Sequence, residues 1–198
     1  MLKHTTLLAA MLAVGIANAG TYTFTPPGNS DLSDLDHYDA YKWGIKFNVP
    51  ANEVITGASL EIKNIWDWTV EQDILYVDLL NTNGSGNTPV GVQRFYDNQA
   101  SGDYFAGQGV RVGTWSDPLG GVNTGFDLKF DFAAQGVLDE LQQYASDGYF
   151  ALTFDPDCHY FNDGVKLKIT TEAVPEPASM VGLAIAGAAL IRKKLKKA

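Results

Sequence analysis

Tyr41-Lys42-Trp43-Gly44-Ile45-Lys46-Phe47-Asn48-Val49 places an apolar side chain at every odd position and Lys, Gly or Asn at every even one. Successive side chains of an extended chain point to opposite faces, so this stretch reads as a strand with one buried and one wet face. The same period of two returns in Phe126, Leu128, Phe130 and Phe132 against Asp127, Lys129 and Asp131. It returns again in Val165, Leu167 and Ile169 against Lys166 and Lys168. Less regular runs at Tyr22 to Thr25, Ile55 to Ile65, Leu75 to Leu80, Val90 to Tyr96, Val110 to Trp115 and Tyr149 to Phe154 bring the expected total to about nine strands.

Between these runs lie turn-rich segments such as Asn81 to Asn87 and Asp117 to Gly121, where Gly supplies positive φ and Pro fixes an entry dihedral. Val137, Leu138, Leu141, Tyr144 and Ala145 fall at spacings of three and four, with Gly148 where a C-terminal cap belongs, so one short helix is expected there. Strands at this spacing predict an all-β fold, an antiparallel, jelly-roll-like β-sandwich with the helix over one open end.

Residues 1–19 read as a signal peptide. Lys3 precedes an apolar run from Leu7 to Ile16, and Ala17-Asn18-Ala19 is a small-x-small site that predicts cutting by signal peptidase before Gly20. The run is shorter than the roughly 20 apolar residues of a membrane span. At the other end Val174-Pro175-Glu176-Pro177 is followed by an uncharged stretch from Ala178 to Ile191 and then by Arg192, Lys193, Lys194, Lys196 and Lys197. The two prolines hold the peptide extended. The uncharged stretch predicts a short transmembrane helix of roughly 21 Å against a hydrocarbon core of about 30 Å, with basic stems snorkelling to cover part of the gap. Its positive end belongs in the cytoplasm.

These three parts in this order resemble the PEP-CTERM sorting signal. The resemblance covers residues 175–198 with Val174 and implies recognition by an exosortase, cutting near Pro-Glu-Pro, and delivery to the cell surface or release. It also implies a bacterium that makes exopolysaccharide. The chain is thus expected to be an exported, membrane-anchored precursor with a matured extracellular domain over residues 20–174.

The whole chain has 23 acidic and 14 basic residues; setting aside Lys3, Glu176 and the five basic tail residues leaves 22 against 8, a net charge of −14 for residues 20–174. Such a surface repels nucleic acid and attracts cations. The lone Cys158 has no internal disulfide partner.

Two acidic groups flank the strands: Asp31, Asp34 and Asp36 with His37 and Asp39, then Asp155, Asp157 and Asp163 with His159 and Asn162. First and last strands of a sandwich are often neighbours, so these loops can converge and offer hard oxygen ligands, with Ca²⁺ as the candidate cofactor. The competing reading is turn chemistry, as in Asn162-Asp163-Gly164. His37, Cys158 and His159 form a second, partial metal set suited to zinc.

Trp66 and Trp68 share one face of an extended segment, with Asp67 on the other, and would give a polysaccharide two stacking faces if they are not core residues. Trp115, Tyr96, Tyr104 and Tyr160 are open to the same two readings. No catalytic residue is assigned. G-x-S-x-G, H-E-x-x-H and a phosphate-binding Gly loop are absent from the sequence, and nothing in their spacing selects Glu61, Glu71 or Asp73 as glycosidase carboxylates. The expected role is structural or interactive, in the exopolysaccharide matrix, with a calcium-dependent carbohydrate-binding module as the alternative and a glycoside-active enzyme behind it.

Overall fold

The computed structural model describes residues 20–28, 32–82, 90–98, 101–117 and 125–174. The signal peptide, Asp31, much of the two turn segments and the sorting tail from Pro175 lie outside the described residues. Among the described residues no helix is long and apolar enough to cross a membrane.

Among the described residues eleven strands follow in order: β1 Gly20–Phe24, β2 Asp34–Leu35, β3 Asp39–Lys46, β4 Glu53–Ile65, β5 Ile74–Asn81, β6 Gly91–Tyr96, β7 Val110–Ser116, β8 Phe126–Asp131, β9 Tyr149–Pro156, β10 Tyr160–Phe161 and β11 Val165–Ala173. All pairings are antiparallel. One sheet runs β1-β11-β4-β8, the other β6-β3-β9-β5-β7, and β2 pairs only with β10. The fold is a β-sandwich.

The two inner faces share one core. Ile55, Leu60, Ile62, Leu167 and Ile169 come from the four-stranded sheet, and Tyr41, Trp43, Ile45, Val77, Leu79, Leu152 and Phe154 from the five-stranded one. Alternation decides these positions, as the period of two requires. The β8 side chains depart from it in a graded way. Phe130 and Phe132 are buried, whereas Phe126 is exposed, because β8 is an edge strand and Phe126 sits at its end against Trp115, ring centroids 5.4 Å apart.

Helix α1, Leu138–Tyr144, contacts β4, β5 and β9 and so bridges both sheets at one end of the sandwich. Leu141 enters the core, and Gln142 Nε2 donates to the Ile55 carbonyl at 2.7 Å. A 3₁₀ turn at Ala145–Asp147 follows and stops at Gly148, whose φ of 89° is the left-handed cap expected of glycine.

The outer face of the five-stranded sheet is dry over part of its area, though Lys46 on the same face is exposed. Ala40, Leu80 and Ala151 form a second small core there with Phe105, which the 103–108 segment lays over the sheet. Thr153 and Asp155, on the outer side of β9, are buried with them. Arg111 organises this layer: Nε donates to Asp78 Oδ1 at 2.6 Å and Nη2 to Asp103 Oδ2 at 2.5 Å, while the guanidinium stands 4.7 Å from the Tyr76 ring centroid.

A candidate site at the free end of strand β4

The candidate site lies where β4 runs out. Trp66 and Phe161 form an antiparallel bridge, each donating its backbone N–H to the other's carbonyl, at 3.0 and 2.9 Å. Residues opposite each other across such a bridge share a face. Around the bridge, burial divides the side chains of 66–68 and 158–161: Asp67, Cys158 and Tyr160 are buried, Trp66, His159 and Phe161 half-buried, and Trp68 exposed.

The outer side carries rings. Trp66 stacks on Phe161 with centroids 4.8 Å apart and planes at 29°, and Phe161 stacks on His159 at 4.9 Å and 16°. His37 then meets His159 edge-on at 5.9 Å, and Tyr38 meets His37 at 4.7 Å. Trp68 stands in solvent, 61% exposed. The turn bearing His37 is held by the buried Tyr41, whose hydroxyl accepts from Asp36 N at 2.8 Å and donates to the Asp34 carbonyl at 3.2 Å. The Asp34 carboxylate bonds His159 Nε2 and fixes that ring from the side.

The inner side carries acids, a thiol and a phenol. Asp67 is 0% exposed. Asp67, Asp73 and Cys158 each offer one ligand atom, and the three atoms lie within 4.8 Å of one another. Thr69 Oγ1 donates to Asp73 Oδ2 at 3.0 Å and lies 3.7 Å from Cys158 Sγ. Burial, joined by the Asp73 carboxylate, pushes the Cys158 thiol up to about 11. The Tyr160 hydroxyl is fully buried and has no hydrogen-bond partner among the described residues. Burial first, then the charges of Asp73, Cys158, Asp67 and Asp117, raise its pKa well above the ordinary phenol value.

Among the described residues, the aspartates read as calcium ligands form no common cluster. The two loops do converge, through β2, β10 and Asn162, whose Nδ2 donates to the Leu32 carbonyl at 2.6 Å and whose backbone N–H donates to the Ser33 carbonyl at 3.0 Å. Asp31 lies outside the described residues. Asp34 is spent on His159, and Asp36 Oδ1 accepts from Tyr38 N at 3.0 Å in a turn. Asp163 Oδ2 accepts from Asn64 Nδ2 at 3.0 Å. Asp155 lies on the outer face of the five-stranded sheet beneath Tyr104, whose N–H donates to its Oδ2 at 2.6 Å. Asp157 is raised in pKa by burial and by Asp73 and Asp97.

The partial zinc set also divides. The Cys158 thiol lies with Asp67 and Asp73, whereas the neighbouring His159 ring meets His37 at 5.9 Å. Of the remaining aromatics, Trp115 and Tyr160 are core residues, and Tyr96 and Tyr104 are exposed elsewhere. Glu61 is paired with Lys63 and Lys166, and Glu71 accepts from Val70 N at 3.1 Å. The sequence reading missed Phe161, His159, His37 and Tyr38 as one array. The alternation Cys158, Tyr160 against His159, Phe161 was the signal for half of it.

No protein-family model matches the chain, and no curated protein matches it in sequence. A solved structure of recombinantly expressed latent aurone synthase, a polyphenol oxidase, is similar over 72% of this chain at 13% identity and a TM-score of 0.39. The chain spans 26% of that structure's length.

Proposed function

We propose that this chain is exported, sorted by an exosortase, and displayed at the cell surface or released into the matrix of an exopolysaccharide-producing bacterium, where its sandwich, jelly-roll-like in type, binds polysaccharide. The outward stack of Trp66, Phe161 and His159, with Trp68 exposed beside it, carries this reading. Sugars lay their C–H faces on aromatic rings; stacked rings cover one another's faces, so Trp68, 61% exposed, offers the accessible face and the stack of Trp66, Phe161 and His159 is the rigid wall beside it. Asp34, half exposed beside His159, keeps a second carboxylate oxygen that can accept from hydroxyls along the same edge.

Cutting before Gly20 and near Pro175 removes no described strand, since β1 begins at Gly20 and β11 closes at Ala173. The acidic character of residues 20–174 favours a neutral or cationic glycan, or an anionic one bridged by cations.

Affinity electrophoresis through gels containing the producer's exopolysaccharide tests the binding. The parent is expected to be retarded, and Trp68→Ala to migrate freely while keeping its fold. Equal retardation of parent and variant would remove Trp68 from the site.

A further inference from the structure

We propose that Asp67, Asp73 and Cys158 bind one zinc-class divalent ion, directly behind the aromatic stack. The bridge between Trp66 and Phe161 forces the arrangement. Beside the bridge Asp67, Cys158 and Tyr160 are buried while Trp66, His159 and Phe161 are half-buried and Trp68 is exposed, and Asp73, just before β5, joins the buried set.

Two independent observations point to a ligand. The first is the set of three donor atoms within 4.8 Å, from residues separated in sequence by up to 91 positions and buried or half-buried. The second is the Tyr160 hydroxyl, fully buried like Asp67 and Cys158 next to the Trp66–Phe161 bridge and lacking a hydrogen-bond partner among the described residues. Buried hydroxyls are normally bonded, and an ion with its coordinated water supplies the partner.

The donor set selects the metal. A thiolate is a poor ligand for Ca²⁺ or Mg²⁺, which take oxygen, whereas sulfur with carboxylate oxygen suits Zn²⁺. Zn–S of about 2.3 Å and Zn–O of about 2.0–2.2 Å in a tetrahedron put donor atoms roughly 3.5 Å apart, so the set closes by about 1 Å through side-chain rotation. The fourth position falls to water or to Tyr160. On binding, the Cys158 S–H bond breaks, sulfur takes the metal and the proton leaves to solvent. An ion held there ties segment 66–73 to 158–160 and fixes the platform from behind. Its binding is read without any glycan, so it stands or falls separately from the polysaccharide reading.

The full-length protein, stripped with chelator, is titrated with Zn²⁺ by calorimetry in two buffers of different ionisation enthalpy, and with Co²⁺ by absorption. The expected result is one ion per chain, about one proton released, and a thiolate-to-cobalt charge-transfer band. Cys158→Ser should abolish the band and weaken zinc by about 100-fold or more, and Asp73→Asn should weaken zinc while keeping the band. Near-ultraviolet circular dichroism confirms that each variant is folded, and if Cys158→Ser is not, the parent's cobalt band and Asp73→Asn decide. No uptake, uptake unchanged in both variants, or cobalt binding without the charge-transfer band would overturn the proposal.

Discussion

Asp155→Asn should make the protein more stable at neutral pH and take a defined slope out of its pH dependence. Asp155 is 2% exposed, opposite Tyr76 in the β5–β9 ladder and roofed by the 101–108 segment. Burial, reinforced by Asp97, Asp103 and Asp157, pushes its pKa from an ordinary 3.8 to about 7, against the lowering effect of the Tyr104 N–H. Between about pH 4 and pH 7 the folded state therefore holds a proton that the unfolded chain has released. Stability from this group is fully present below about pH 4, declines as pH rises, and is lost above about pH 7. That rise corresponds to a ceiling of about 4 kcal/mol, a large share of a total near 5–15 kcal/mol. Asn keeps an oxygen for the Tyr104 N–H and carries no charge to desolvate.

Urea unfolding of parent and variant at pH 4.5, 6 and 8 measures the effect. The variant-minus-parent difference should grow in the variant's favour with pH, by up to about 2–4 kcal/mol, and then level off. Taking a difference cancels groups such as Glu61 and Asp127, whose pKa values are lowered by Lys63 and which act in the opposite sense. A difference that does not change with pH would refute this account of the buried layer. So would a difference that shrinks as pH rises.

Three other perturbations test other parts of the fold. Gly113→Ala places a Cβ 2.2 Å from Phe130 Cε1 across the two sheets, so a loss of about 1–3 kcal/mol by thermal melting is expected, and a neutral result would contradict the face-to-face packing of β7 on β8. Arg111→Met strips the guanidinium from Asp78 and Asp103. With about a third of the arginine side chain in water, about 2 kcal/mol should be lost at pH 8, and less at pH 5, where Asp78, raised to about 6 mainly by burial, takes up a proton. Mass spectrometry of surface material should find Gly20 at the N-terminus and no peptide beyond the Pro175 to Pro177 region; an intact Arg192 to Ala198 tail would count against exosortase handling.

The strands were legible because burial on one face of a sheet writes itself as a period of two. Every expected strand, from Tyr22 to Thr25 through Val165 to Ile169, has a counterpart, and the helix and its Gly148 cap fall where the three-four spacing put them. The two-residue strands β2 and β10 were not legible, since two residues carry no period. Nor was the dry outer face of β9, because the Ser101-Gly102-Asp103-Tyr104 stretch that covers it reads as a polar turn. The convergence of loops 28–39 and 155–163 could be anticipated from topology, but what each aspartate does there could not. Asp34 and Asp163 bond His159 and Asn64, respectively, and Asp155 is drawn under Tyr104. The inward set of Asp67, Asp73 and Cys158 joins residues 91 positions apart and depends on one backbone bridge that no local pattern announces.

The most direct test of polysaccharide binding at the β4 end uses the four tryptophans as reporters. Trp43 and Trp115 are buried in the core, whereas Trp66 and Trp68 stand on the proposed platform. In a ¹H–¹⁵N spectrum of the indole groups titrated with oligosaccharides cut from the native exopolysaccharide, the Trp66 and Trp68 resonances should move along saturating curves while those of Trp43 and Trp115 stay in place. Four unmoved indoles, or movement at Trp43 and Trp115 alone, would contradict it.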